Sequence, residues 1–420
     1  MATVTRRSST ILLAAIAVGS MVGACSSDAA RTPATPRSAT AGDTPTTDTT
    51  TTAGDGSATD TYAPAETTTA AAVQVVATGF EVPWGLVALH DGSVLVGERD
   101  TAEVFHVVPG ADPERVTTVP GVSPGGEGGL LGLAVPADSS WHEGEPGEFF
   151  AYATTDTDNR VLRVEPGKIT GDGQEGPLVE VVLDGIPKAG NHNGGRIEFG
   201  PDGHLYVTTG DASDGAQAQD GQSLAGKILR ITPDGEPAPG NPGPSSPVWS
   251  LGHRNVQGLD WDEAGRLWAS EFGQNALDEL NLIHPGDNFG WPQFEGPGGE
   301  PAFTDPVISW PTSEASPSGL AVGRDGSVYV AALRGQSLWR VPVQDRGTGT
   351  DRASVTVGEP ERLLEGEFGR LRSVVSGVDG QLWVLTSNTF RGDPAEEDDR
   401  LLLIPDPAAL APSTQVAPSG

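Results

Sequence analysis

One short unit recurs along this chain: a turn glycine, usually after Asp, followed at once by an apolar strand. It reads Asp91-Gly92-Ser93-Val94-Leu95-Val96, more weakly Gly147-Glu148-Phe149-Phe150-Ala151-Tyr152, then Asp202-Gly203-His204-Leu205-Tyr206-Val207. Ala264-Gly265-Arg266-Leu267-Trp268-Ala269, Asp325-Gly326-Ser327-Val328-Tyr329-Val330 and Asp379-Gly380-Gln381-Leu382-Trp383-Val384 complete the series. The glycines are spaced 55, 56, 62, 61 and 54 residues apart. Most copies are preceded by a second strand that pairs a small residue with apolar ones, as in Trp84-Gly85-Leu86-Val87, Gln257-Gly258-Leu259 and Ser318-Gly319-Leu320. Strand, Asp-Gly turn, strand is a β-hairpin signature. A hairpin per repeat, with room for two more strands, is one four-stranded propeller blade. The fold class is therefore all-β, a six-bladed β-propeller over residues 73–407, with 408–420 as a disordered tail. Closing the ring removes the exposed edges that an open array would carry. Two β-sandwiches, the other all-β option, predict no single period across the chain.

Composition agrees and narrows the partners. Gly 57 and Pro 35 supply many turns, and no stretch shows a long amphipathic helix. A net charge of −32 argues against nucleic acid and against electrostatic docking to anionic lipid. The N-terminus has the pattern of an export signal over 1–24: Arg6 and Arg7, then the apolar run Ile11 to Val22, too short to span a bilayer. That run closes on Val22-Gly23-Ala24-Cys25, which resembles a bacterial lipobox, and Cys25 is the one cysteine of 420 residues. The expectation is export, with acyl chains on Cys25 as the only membrane attachment. Residues 25–72 are rich in Thr, Ala and Pro with Tyr62 the single aromatic residue, the composition of a disordered tether.

Equivalent repeat positions converge in a propeller. The positions leading into the innermost strands are Trp84, Glu127, Asn191-His192-Asn193, Arg254-Asn255-Gln257, Ser316 to Ser318, and Arg370 with Arg372. Charge gathered at one mouth is costly unless paired or serving a ligand, so a functional pocket is expected there. Glu127 and Arg372 could also form an inter-blade ion pair. Arg196 reads as structural, His253 points away from the mouth, and His90, His106, His142, His204 and His284 read as surface. No histidine pair has zinc spacing, and neither a Gly-x-Ser-x-Gly elbow nor a nucleotide-binding glycine loop is present.

Longer motifs carry a resemblance. Gly128-Gly129-Leu130-Leu131-Gly132-Leu133-Ala134, His192-Asn193-Gly194-Gly195-Arg196-Ile197, Leu251-Gly252-His253-Arg254-Asn255-Val256-Gln257-Gly258, Ser270-Glu271-Phe272-Gly273-Gln274, Asp278-Glu279-Leu280-Asn281-Leu282-Ile283 and Asn288-Phe289-Gly290-Trp291-Pro292 follow in order. Over about Val75 to Leu403 the chain resembles the soluble quinoprotein glucose/sorbosone dehydrogenases, most of all the bacterial aldose sugar dehydrogenases. The resemblance implies pyrroloquinoline quinone (PQQ) and Ca²⁺ at the axis, and oxidation of an aldose with electrons passed to an external acceptor, a quinone or a redox protein. It implies His192 as general base and Arg254 over the reacting carbonyl, with Asn255 beside the cofactor. Arg334, Arg370 and Arg372 match a basic group for the PQQ carboxylates, which guanidinium suits. Asn191 and Glu127 also match positions facing the cofactor, where the glucose-type enzymes carry aspartate and glutamine. Gly273 and Gln274 match carbonyl ligands of one calcium; Glu279 and the carbonyl of Phe289 match a second. Arg334 stands for lysine and Gln274 for proline, which keeps the cationic count; the changes bear on sugar preference. Two other readings stay open: a non-catalytic surface-binding propeller, and a calcium-dependent lactone hydrolase built on Glu127, Asn191 and Asn255.

Overall fold

The recurring Asp-Gly step folds as a tight turn. Gly92, Gly203, Gly265, Gly326 and Gly380 all have φ between 73° and 88°, a region that glycine enters without a Cβ clash. Asp91, Asp202 and Asp325 accept the backbone N–H two residues on, at 3.0–3.1 Å, closing each turn from its own side chain. The weak second copy differs: a 3-10 turn, Ser140–Glu143, lies between its two strands. A computed structural model describes residues 73–169, 175–299, 301–345, 352 and 355–413. The export signal, Cys25 and the Thr/Ala/Pro-rich stretch lie outside the described residues.

Among the described residues, six antiparallel four-stranded sheets form the blades. Blade 1 holds Pro83–Ala88, Val94–Glu98, Glu103–Val107 and Glu114–Thr118. Blade 2 holds Leu130–Ala134, Phe149–Thr154 and a long pair, Asn159–Ile169 with Glu175–Ile186. Blade 3 holds Ile197–Phe199, Leu205–Thr208, Lys227–Ile231 and Val248–Leu251. Blade 4 holds Val256–Trp261, Leu267–Glu271, Leu277–Ile283 and Ile308–Pro311. Blade 5 holds Pro317–Val322, Val328–Ala332, Ser337–Val341 and Glu361–Leu363. Blade 6 holds Leu371–Ser376, Leu382–Thr386 and Arg400–Ile404, and its outer strand is Gln74–Thr78 from the other end of the chain. Blade 6 has a single strand left after its hairpin, so the N-terminal strand completes the sheet and seals the ring. Each inner strand touches the next around the circle, the sixth against the first.

Apolar side chains fill the gaps between blades rather than one central core. Six buried clusters occur among the described residues. Leu95 and Val104 of blade 1, for example, pack with Leu130, Phe149 and Leu162 of blade 2. Near the axis the blades crowd, which explains the small residue of the repeat. A Cβ on Gly132 would lie 2.3 Å from Gly195 O, and one on Gly258 would lie 2.5 Å from Ser318 O. The propeller also runs past the boundary set at Pro407: Leu410 packs against the blade 5–6 cluster, and Ser413 N donates to Arg362 O at 2.7 Å. Residues 408–413 are held there by a backbone bond and apolar burial. His106, His142, His204 and His284 are half-buried rather than at the surface, the first bonded to Ser93 Oγ at 2.7 Å and the second stacked on His90, which alone of the five is exposed.

Two carboxylates line a cavity bounded by the outgoing halves of the inner strands, Glu198 in blade 3 and Asp260 in blade 4. Burial pushes Asp260 up to about 7. Burial, and then the Asp260 charge, push Glu198 well above its usual value. Both folded-state values exceed the unfolded ones, so their favourable contribution is complete in acid and is lost as pH rises through about 7. The melting temperature should therefore fall between pH 5 and pH 8. Glu198→Gln should raise it at pH 8 and leave it nearly unchanged at pH 5; an equal effect at both pH values would rule out this titration.

Candidate functional site

Bulges build the site. The inner pair of blades 1, 2, 4, 5 and 6 each slips register near its start: between Pro83 and Gly85, Leu130 and Leu133, Val256 and Gly258, Pro317 and Leu320, and Leu371 and Ser373. The residues left out of register are Trp84, Leu131 with Gly132, Gln257, Ser318 with Gly319, and Arg372. A bulge re-aims a side chain that regular alternation would send between the sheets. Trp84, Gln257 and Arg372 thereby face the axis. Arg372 Nη1 donates to Gln257 Oε1 at 2.9 Å and to Ser318 Oγ at 3.3 Å, so three bulges meet at one point.

His192 is carried by a strained loop. Its φ is +59°, uncommon for a residue with a side chain and kept only where the surroundings fix it. Asn255 Oδ1 accepts Gly194 N at 2.9 Å, and Glu127 Oε2 accepts His192 N at 3.1 Å. The ring is then oriented by Asp211, whose Oδ1 lies 2.8 Å from His192 Nδ1, while Trp291 Nε1 donates to Asp211 Oδ2 at 2.8 Å. Burial alone would push the Asp211 carboxyl up, but His192, Trp291 and the Ser213 N–H outweigh it and hold it below the usual range. A carboxylate partner requires the proton on Nδ1, which leaves the Nε2 lone pair free to take one. Asn191 is exposed; its amide lies 3.3 Å from that Nε2 and its other face meets Ser213 Oγ.

Arg254 projects from the next loop round the ring, where its carbonyl accepts Asp211 N at 2.8 Å. Its Nη1 donates to Gly273 O at 2.6 Å and to Phe272 O at 3.2 Å, with the guanidinium 5.5 Å from the Trp291 ring centroid. Its backbone N–H is held by Glu271, whose other oxygen takes His253 Nδ1 at 2.8 Å; His253 Nε2 meets Ser250 Oγ at 2.8 Å. Ser250 and His253 have no exposed surface, so this Ser-His-Glu line has no access to substrate and serves as scaffold. Arg196 is structural as expected, bonded to Gln257 O and Ser373 Oγ beneath Trp84.

These groups surround a cavity of ≈ 380 Å³. Its wall carries Arg99, Arg254, Arg334, Arg370, Arg372 and Arg391 against one carboxylate, Glu127. Burial pushes Arg372 down to about 9, helped by the neighbouring Arg370 and Arg99. Arg370 is pushed down by burial and by Arg391. The Nε atoms of Arg254, Arg370 and Arg372 are buried without a hydrogen-bond partner. Stranded donors and crowded guanidinium groups fit a ligand with several carboxylates. The alternative Glu127–Arg372 pair does not form: Glu127 takes Arg391 instead, at 3.1 Å, and Arg372 is bonded to Gln257 and Ser318. Arg99, Asp211 and Arg391 escaped the sequence reading. All three leave the second strand of a blade, which ends at the same mouth where the first begins.

The oxygen-rich side lies between blades 3 and 4. Gln274 is exposed, and the N–H groups of 274 to 277 gather on Glu295 Oε1 at 2.6–3.2 Å. Glu271, Glu279, Glu295 and Phe289 border a pocket of ≈ 10 Å³. Burial, then the Glu271 charge, push Glu279 up to about 8, as crowding of buried carboxylates does. Among the described residues no three His, Cys, Asp or Glu side chains converge as a ready metal cage. The carbonyls of Phe272 and Gly273, which accept Arg254 Nη1, and the crowded carboxylates are hard oxygens of the kind calcium takes.

An arginine-lined cavity beside an oriented histidine, on the axis of a propeller, is a site suited to an anionic ligand with proton chemistry next to it. The chain is a member of the glucose/sorbosone dehydrogenase family, which it matches over residues 80–392. It is 51% identical to the PQQ-bound aldose sugar dehydrogenase of Streptomyces coelicolor, with a TM-score of 0.71 over 79% of this chain and 97% of that one. It is 29% identical over 349 residues to an aldose sugar dehydrogenase of Escherichia coli, covering 76% of this chain and 90% of the relative. Quinoprotein glucose dehydrogenase B of Acinetobacter calcoaceticus is 31% identical over 256 residues, 53% of this chain and 52% of that protein.

The cationic wall predicts binding of small polycarboxylates without turnover. Citrate at low ionic strength should raise the melting temperature by about 2 °C, and molar salt should erase the shift. An equal shift in Arg370→Gln would place the anion elsewhere.

Proposed function

We propose that this protein oxidises aldose sugars to lactones, with PQQ and Ca²⁺, on the outer face of the cell membrane. The observation that carries the reading is the pairing of His192, oriented by Asp211, with a wall of under-partnered arginines in one cavity. PQQ, when bound, supplies a two-electron acceptor with three carboxylates. Arg334, Arg370 and Arg372 would hold those carboxylates, with Asn255 beside them, and Arg254 would face the oxygen on which negative charge develops. A fixed cation there is worth a few kcal/mol of barrier, by analogy with about 3–4 kcal/mol for an oxyanion donor. Calcium would take the carbonyl side of the cavity through Gly273 and Gln274, and a second ion would rest on Glu279 and Phe289.

His192 does the proton chemistry. In a cyclic aldose the anomeric carbon bears a hydroxyl and a hydrogen. Nε2 takes the hydroxyl proton while the hydrogen leaves with its electron pair, and the C–O bond becomes the lactone carbonyl. Asp211 keeps Nδ1–H in place and stabilises the imidazolium that forms, as a buried carboxylate does for other catalytic histidines. The electrons then pass to an external acceptor, a quinone or a redox protein. Export and acylation at Cys25 would put the propeller outside the cell. A non-catalytic binding propeller gives no use for the arginine wall, and the lactone-hydrolase reading leaves it unexplained.

Dye-linked oxidation of a panel of aldoses, with PQQ and Ca²⁺ supplied together and singly, tests this directly; activity is expected only with both. His192→Ala should lower kcat about 10²- to 10⁴-fold and still bind PQQ. Near-normal turnover in that variant would remove His192 as the base. Chelation of calcium should lower the melting temperature of the wild type, and Glu279→Gln should show a smaller drop.

A further inference from the structure

An ion pair crosses the cavity mouth, joining residues 264 positions apart. Glu127 sits on the loop leading into blade 2, and Arg391 on the turn after the second strand of blade 6. Blade 1 lies between them in the ring, so the pair passes in front of it. Phe390 fills the space beside it, with Arg99 Cζ 3.9 Å and Arg391 Cζ 4.8 Å from its ring centroid, both within cation–π reach.

Both ends are rooted. Glu127 N donates to Gly190 O at 2.9 Å, and Glu127 Oε2 accepts the backbone N–H of His192. Arg391 holds a φ of +62°, and the turn is fixed by Gly392 N to Asn388 O at 3.1 Å and by Asn388 Nδ2 to Phe368 O at 2.9 Å. The backbone presents two anchored stubs, and only side chains cross between them. Those side chains are 57% exposed for Arg391 and 24% for Glu127, so water screens the pair and its hold is weak.

We propose that the Glu127–Arg391 pair is a bar that sets the size of sugar admitted, which rests on the oxidation of aldoses proposed above. A sugar reacts at the ring presented to His192, and one end of the bar is bonded to His192 itself. A single-ring aldose fits behind the bar. The second ring of a disaccharide must leave through the mouth, and the bar stands across part of it. Disaccharides therefore require the pair to part, whereas monosaccharides do not.

Two single variants break the bar with opposite changes of charge: Glu127→Gln removes a negative charge and Arg391→Gln removes a positive one. The quantity to measure is kcat/KM for maltose relative to glucose. A bar predicts a rise of about two- to fivefold in both, the range an exposed pair can exert, and a return toward the wild-type ratio in the charge-swapped double variant, Glu127→Arg with Arg391→Glu. Opposite changes in the two singles, as an electrostatic effect on ligand would give, or no change in either, overturn the proposal. The association rate of PQQ, followed by tryptophan quenching, is a readout independent of turnover and should rise in both singles. A wild type that oxidises no sugar overturns the functional reading, whereas glucose oxidation with an unchanged ratio overturns only the bar.

Discussion

Six inner strands converge on one axis, and the shortage of space between them shapes the rest of the molecule. Where the strands nearly touch, a Cβ cannot be placed, as at Gly85 and Gly258. Just before those positions the register slips, and the displaced residue turns its side chain toward the axis. Trp84, Gln257 and Arg372 reach the cavity by that route. Steric crowding thus selects both the glycine and the functional residue beside it. The same geometry explains why Gln257, Ser318 and Arg372 come from blades far apart in sequence yet stand within hydrogen-bond range.

Charge is distributed against the trend of the chain. A protein with a net charge of −32 keeps an arginine-lined chamber on its axis, and burial lowers the proton affinity of those arginines. Such a chamber is unfavourable to the ligand-free fold and favourable to a polyanion, so ligand and fold are thermodynamically linked. The acidic exterior then works as a filter. Free anions are repelled at long range, and only one that brings several carboxylates into the chamber gains enough local contacts to stay.

Fold class was legible because the turn glycine and its strand repeat with one period, and a period leaves few alternatives. The inward positions were legible for the first strand of each blade, so His192, Arg254, Asn255, Arg370 and Arg372 were found where the cavity lies. The exits of the second strands carry no such mark in the repeat, and Gly273, Gln274 and Arg334 there were legible only through the family resemblance. Asp211 follows an ordinary Thr-Gly pair, and Arg391 lies in a turn of polar residues, so each becomes recognisable only when the ring brings it back to the mouth. The partner of Glu127 was likewise beyond the sequence, since whether Arg372 is free depends on the bulges at Gln257 and Ser318. The strand that completes blade 6 precedes every copy of the repeat, and nothing local marks it as belonging to the last one.

That strand bears on how the chain is assembled. Gln74 pairs with Leu403 and Thr78 with Arg400, so the first strand to be synthesised has no partner until the last has been made. Blades 1 to 5 can form as local units from neighbouring residues, while blade 6 waits on a contact across nearly the whole domain. Long-range closure of this kind is slow to form relative to local pairing. Until it forms, the edge of blade 6 is open and able to accept a strand from another copy.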